Sequence, residues 1–165
     1  MSESRIFRKM TPEEVPQLFR LVQERIEWMN EKGIRQWNVL KYDEIYPLSY
    51  YQEEQRQGHL FALLDAADGR VLSGGILRET DERWPDDVPA LYLHSFVSKP
   101  GAPGAGAAFL SHVESLSRAM DKRCLRLDSA CDNAPLGRYY ESLGFAAVGE
   151  CEDGPYRGTL RQKQL

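Results

Sequence analysis

The chain has 165 residues, 42% of them hydrophobic and 28% charged, with a net charge of −4 at pH 7. A balance on the acidic side lacks the positive field on which nucleic-acid binding relies, and no apolar run nears the roughly 20 residues of a membrane span. Neither a nucleic acid nor a membrane is therefore an expected partner, and the length predicts one domain over 1–165.

Arg5 to Met10 is predicted as a first strand. Thr11-Pro12-Glu13-Glu14 opens a helix, with Thr11 as N-cap, Pro12 in the first turn and Glu14 at the capping-box position. Val15, Leu18, Leu21, Val22, Ile26 and Met29 recur at helical spacing, and Gly33 suits the helix end. Ile34 to Pro47 reads as an aromatic loop carrying Trp37, Tyr42 and Tyr46. Leu48 to Gln57 follows as a second helix, stopped by Gly58. Leu60–Ala66 and Arg70–Glu79 form a predicted hairpin around Ala67-Asp68-Gly69. Thr80 to Pro89 is polar loop. Ala90 to Val97 is a strand, Ala105 to Asp121 a helix, Cys124 to Asp128 a buried strand and Pro135 to Leu143 a helix ended by Gly144. Ala146–Glu150 and Tyr156–Arg161 close the chain as strands. The order predicts a mixed α/β sheet, antiparallel in front and partly parallel behind.

Cys124, Cys131 and Cys151 form no C-x-x-C pair, and His59, His94 and His112 are scattered, so neither a disulfide framework nor a metal site is expected. The first residues lack the apolar segment of a secretory leader, which gives the expectation of a cytoplasmic protein with reduced thiols.

Pro100-Gly101-Ala102-Pro103-Gly104-Ala105-Gly106 leads directly into the helix that starts near Ala107. Small residues let backbone N–H groups approach an anion, and the helix start adds partial positive charge. A nucleotide P-loop would end in Gly-Lys-Ser/Thr, and this loop has Gly106-Ala107-Ala108. A dinucleotide fingerprint would need glycine where Phe109 stands. What remains is a backbone cradle suited to a pyrophosphate, or a plain glycine-rich turn. The second block holds Leu125-Arg126-Leu127-Asp128, then Asn133, Tyr139-Tyr140 and Gly144-Phe145; taken alone the tyrosines read as packing residues and Gly-Phe as a helix cap followed by a core residue.

In this order the two blocks resemble the GCN5-related N-acetyltransferase (GNAT) family, from about Phe61 to the C-terminus. The resemblance implies the acyl-CoA N-acyltransferase fold, a mixed and largely antiparallel central sheet with flanking helices. It also implies that acetyl-CoA is used. Ala102, Gly104, Ala105, Gly106 and Ala107 would hold its pyrophosphate, although Gly101 stands where the family motif has Arg or Gln. Asn133 would contact the pantetheine or phosphate arm. Tyr140 would line the cofactor site and protonate the departing thiolate, with Tyr139 as its rival. Gly33-Ile34-Arg35-Gln36-Trp37, with Tyr46-Pro47, is similar to a subgroup of bacterial acetyltransferases of unassigned substrate. In the family this region lines the acceptor side, which makes Trp37 a candidate substrate-binding residue.

Acetyl transfer to an amine needs a polarised carbonyl, a protonated leaving sulfur and a base. The backbone at Phe96 and Val97 is the expected place for carbonyl polarisation and cofactor contact. His94, two residues before Phe96 and so expected on its face of the strand, is the candidate base, with Glu79 and Glu82 as acidic alternatives. No cysteine stands out as a nucleophile, so transfer is expected to be direct, to a small-molecule or peptide amine. A catalytically silent acyl-CoA-binding sensor or interaction module is the alternative. Trp37, Tyr42, Tyr46 and Trp84 suit an apolar or cationic acceptor, or else packing under loops. The aromatic loop must cover the acceptor pocket, the protein's own core or a second subunit, which leaves a homodimer as an open expectation.

Overall fold

The computed structural model describes residues 4–35, 37, 38 and 41–165. Seven strands form one sheet: β1 (Arg5–Lys9), β2 (Leu60–Asp65), β3 (Val71–Arg78), β4 (Ala90–Ser98), β5 (Cys124–Ala130), β6 (Ala146–Asp153) and β7 (Tyr156–Gln164). Among the described residues five α-helices flank it: α1 (Val15–Lys32), α2 (Tyr42–Ile45), α3 (Leu48–Arg56), α4 (Ala105–Ala119) and α5 (Ala134–Ser142). The strand order is β1-β2-β3-β4-β5-β7-β6, so β7 lies inside and β6 forms the edge. All neighbours are antiparallel except β4 and β5. The expected mixed, largely antiparallel sheet is present.

Alternation along the strands divides the core between the two faces. Leu63, Leu91, Leu93, Leu125 and Leu127 pack with Phe109 and Val113 of α4 and with Tyr140 and Phe145 of the α5 region. Ala62, Leu64, Ile76 and Val97 pack instead with Val15, Leu18, Leu21 and Val22 of α1 and with Tyr51 of α3. Burying such side chains on both faces is the main source of stability.

The helix start behaves as the sequence signals indicate. A short 3-10 turn over Pro12–Glu14 precedes α1, and the Glu14 carboxylate accepts the Thr11 N–H at 2.8 Å and a bidentate pair from Arg8. Gly33 ends α1 in the left-handed conformation, at φ 70°. The aromatic segment departs from the all-loop expectation, because α2 forms within it; its residues 36, 39 and 40 lie outside the described ones.

Two irregularities open the sheet. The parallel pairing of β4 with β5 covers only Ala90–Tyr92 against Cys124–Arg126. Beyond it, β4 runs on along β3 and β5 runs on along β7, so the two strands part. In addition, β4 bulges between His94 and Val97, which pair with Ile76 and Gly74. Ser95 sits in the bulge at φ 52°. A non-glycine residue held in the left-handed region is strained by roughly 1–2 kcal/mol and persists only where its surroundings enforce it.

Candidate active site

The parted strands open into a cavity of about 1450 Å³. Its walls come from the bulge of β4, the start of α4, the start of α5, the aromatic segment after α1 and the loop between β3 and β4. Every predicted site residue except Ala105 lines it. Ala105 is fully buried in the first turn of α4, behind the wall.

The glycine loop is shaped as a cradle. Gly101 and Gly104 have φ values of 81° and 75°, which glycine alone adopts without strain. The Ala102 N–H donates to the Lys99 carbonyl and the Ala105 N–H to the Ala102 carbonyl, so these two amides serve the turn itself. The Gly104, Gly106 and Ala107 amides donate to no backbone carbonyl among the described residues. Ala108 is the first residue whose N–H bonds back, to the Gly104 carbonyl. A Cβ on Gly106 would stand 2.7 Å from Ser98 Oγ and 3.4 Å from both Phe96 Cζ and Tyr139 Oη. The missing side chain is what lets the start of α4 close on the end of β4. Three amides at a helix N-terminus, without a backbone acceptor among the described residues, fit an anionic phosphate group.

Tyr140 is 6% exposed, packed edge-on against Phe145 at 5.8 Å. Its hydroxyl has no hydrogen-bond partner among the described residues. Burial, reinforced by Tyr139 and Asp128 nearby, raises its pKa well above the ordinary tyrosine value, so the phenol keeps its proton at neutral pH. Tyr139 is 37% exposed and lies over the α4 start. Asn133 is buried as the N-cap of α5, its Oδ1 accepting the Leu136 N–H at 3.3 Å.

The bulge corrects one sequence expectation. Strict alternation puts His94 and Phe96 on one face, but the extra residue returns Phe96 to the Leu93 side, where it stacks on Phe109 at 5.5 Å. Val97 turns to the α1 side. His94 meets Asp81 of the β3–β4 loop, with Nε2 and Oδ2 3.0 Å apart. Sequence reading misses Asp81 and Arg83, whereas Asp128 belongs to the second candidate block. Asp128 of β5 is bound by Arg83 at 3.2 Å and by the Tyr156 hydroxyl at 2.6 Å. Arg83 also reaches Asp153 at 2.9 Å. A charged residue inside the buried β5 segment was the one available sign of this cluster. The acidic alternatives for a base also line the cavity, but Glu79 is taken by Lys122 at 2.7 Å, and Glu82 lies exposed on the rim.

Trp37 stacks on Tyr42 at 4.6 Å, and Tyr46 and Tyr50 continue the row at 4.7 and 4.8 Å. The row packs on the α1-side core with one edge and lines the cavity with the other. Tyr42 Oη and Ser95 Oγ are 2.5 Å apart, which ties the row to the bulge. Trp84 is instead a packing residue, 7% exposed, with the Arg126 guanidinium 4.2 Å above its ring. Among the described residues no helix is long and apolar enough to cross a membrane.

No family model matches the chain. A curated protein, the uncharacterized N-acetyltransferase YesJ of Bacillus subtilis (strain 168), is 28% identical over 138 residues, covering 78% of this chain and 74% of that protein. Among solved structures, a GNAT-family acetyltransferase of Streptococcus agalactiae 2603 superposes with a TM-score of 0.80 at 18% identity, covering 100% of this chain and 98% of that one. A GNAT-family acetyltransferase of Listeria monocytogenes 4b F2365 gives 0.77 at 23% identity, covering 98% and 95%. The PaiA N-acetyltransferase of Thermoplasma acidophilum, solved in complex with coenzyme A, gives 0.76 at 17% identity, covering 98% and 99%. The fold is the one these structures share.

Proposed function

We propose, from the assignment to the GNAT family that the relative and the structural neighbours support, that this chain is an acetyl-CoA-dependent N-acetyltransferase. It transfers acetyl directly to an amine of a small molecule or peptide, in the cytoplasm. The observation that carries the reading is one cavity in which the amide cradle, the strand bulge and the hydroxyl of the buried Tyr140, without a partner among the described residues, meet.

Bound acetyl-CoA supplies a thioester whose carbonyl carbon receives the amine and whose sulfur leaves. The Gly104, Gly106 and Ala107 amides hold the pyrophosphate, with Ala102 and Ala105 fixing the loop that presents them. The bulged backbone at Phe96 and Val97 binds the cofactor and polarises the carbonyl. Asn133, by capping α5, sets the wall along the pantetheine arm. Tyr140 donates its proton to the leaving sulfur; its raised pKa keeps the donor protonated until a thiolate forms. His94 takes the proton from the amine. Trp37 lines the acceptor side.

The test is thiol release from acetyl-CoA across a panel of amines, with products scored by an acetyl mass shift. Release coupled to a mono-acetylated amine is expected. Tight coenzyme A binding without release from any amine would leave a binding module in place of an enzyme.

A further inference from the structure

We propose that Asp81 is the positioning residue of the base: its carboxylate holds the His94 ring through Nε2 and leaves Nδ1 as the atom that accepts the acceptor's proton. This rests on the reading of His94 as the base. His94 Nε2 lies 3.0 Å from Asp81 Oδ2, and the side chains are 17% and 9% exposed. Nδ1 has no hydrogen-bond partner among the described residues. A carboxylate on one ring nitrogen fixes the tautomer, so the other nitrogen carries the lone pair.

Asp81 is itself fixed. Its Oδ1 accepts the Arg83 N–H at 2.9 Å, a turn within the loop that leaves Oδ2 for the histidine. Burial works to raise its carboxyl pKa, but the bonds from His94 and the Arg83 amide and the charges nearby outweigh this and hold it below the ordinary value. The other acid in the cluster is less suited. Asp128 has one oxygen on Arg83 and the other on Tyr156. Arg83 spends its charge on Asp128 and Asp153, leaving Asp81 to face the imidazole. The groups around the pair are thus Asp128 of β5, Arg83 of the loop, Tyr156 and Cys151 of the β6–β7 hairpin, and Tyr46 after α2.

The step balances simply. An N–H bond of the acceptor ammonium breaks, an Nδ1–H bond forms, and the imidazolium that results is held against the Asp81 carboxylate. The free electron pair on nitrogen is then available to attack. No electron acceptor is involved.

Asp81→Asn tests this, because the amide oxygen still accepts the Arg83 N–H while the negative charge is lost. With an amine the wild type acetylates, the variant is expected to lower kcat about tenfold to a thousandfold at an unchanged acetyl-CoA KM. Asp81→Glu should restore part of the rate. Nitrogen NMR of the ring gives a readout independent of turnover: His94 should carry its proton on Nε2 in the wild type and lose that single tautomer in Asp81→Asn, while the ring signals of His59 and His112 stay unchanged. A rate loss with an unchanged His94 tautomer overturns the positioning role and leaves the proposed function standing. A wild type that acetylates no amine overturns the function and the role of Asp81 with it.

Discussion

Tyr139 and Tyr140 are adjacent on α5, yet Tyr139 is open to the cavity rim and Tyr140 is buried edge-on against Phe145. Sequence alone places them about 100° apart on the helix and leaves either one free to act. Burial separates them, because an enclosed phenol keeps its proton and is spared competition from water. Tyr140→Phe should therefore lower kcat by about one to three orders of magnitude while changing the acetyl-CoA KM little, since the ring and its packing remain. Steady-state rates under conditions where chemistry is limiting provide the check. Tyr139→Phe should keep near-normal turnover, and the reverse pattern would exchange their roles. At this scale Asn133 and Tyr140 were legible as motif residues. Asp81 was not, because its partner His94 comes from another element and only the folded loop brings them to 3.0 Å.

The element that matters most is β4. Its existence and its start were readable from Ala90–Val97, but its bulge, which breaks the expected alternation of His94 and Phe96, was not. Ser95 carries no glycine or proline signal, and a single extra residue is visible only against the register of β3. The bulge is clamped from outside by Tyr42, whose hydroxyl meets Ser95 Oγ, and Tyr42 is in turn stacked under Trp37. The aromatic segment is thus both core cover and cavity wall, where the sequence left the two as alternatives. Trp37→Ala removes the outer member of the row while Tyr42 keeps its bond to Ser95. It should raise the acceptor KM by about tenfold or more and the acetyl-CoA KM by much less, a loss of about 1.4 kcal/mol confined to one substrate. Initial rates varied in each substrate separately decide this. A fall in melting temperature with both KM values unchanged would make Trp37 a packing residue only.

At the scale of the whole molecule, the cavity exists because β4 and β5 share only their first residues and then follow different partners. The parallel pair was legible from the strand–helix–strand order between Ala90 and Asp128. The insertion of β7 between β5 and β6 was not, since two short polar-edged strands pair equally well in either order on pattern alone. A cleft held open by two diverging strands gains most from a ligand that bridges them. Coenzyme A binding only the native state should stabilise it by about 2.7 kcal/mol at a concentration one hundred times its Kd. For a chain of this size that corresponds to a rise in Tm of about 5–11 °C. Gly106→Leu supplies the structural control. Its Cβ would fall 2.7 Å from Ser98 Oγ, and the longer side chain would occupy the space in front of the α4 amides. The variant should fold at a lower Tm once the Ser98 hydroxyl turns aside, since Gly106 lies in ordinary helical backbone and not among the positive-φ glycines, but its Tm should no longer respond to coenzyme A. Differential scanning fluorimetry with and without coenzyme A reads both proteins. An equal ligand-induced rise in wild type and Gly106→Leu would place the pyrophosphate away from this cradle, and no rise in the wild type at millimolar coenzyme A would remove the cofactor from the proposal.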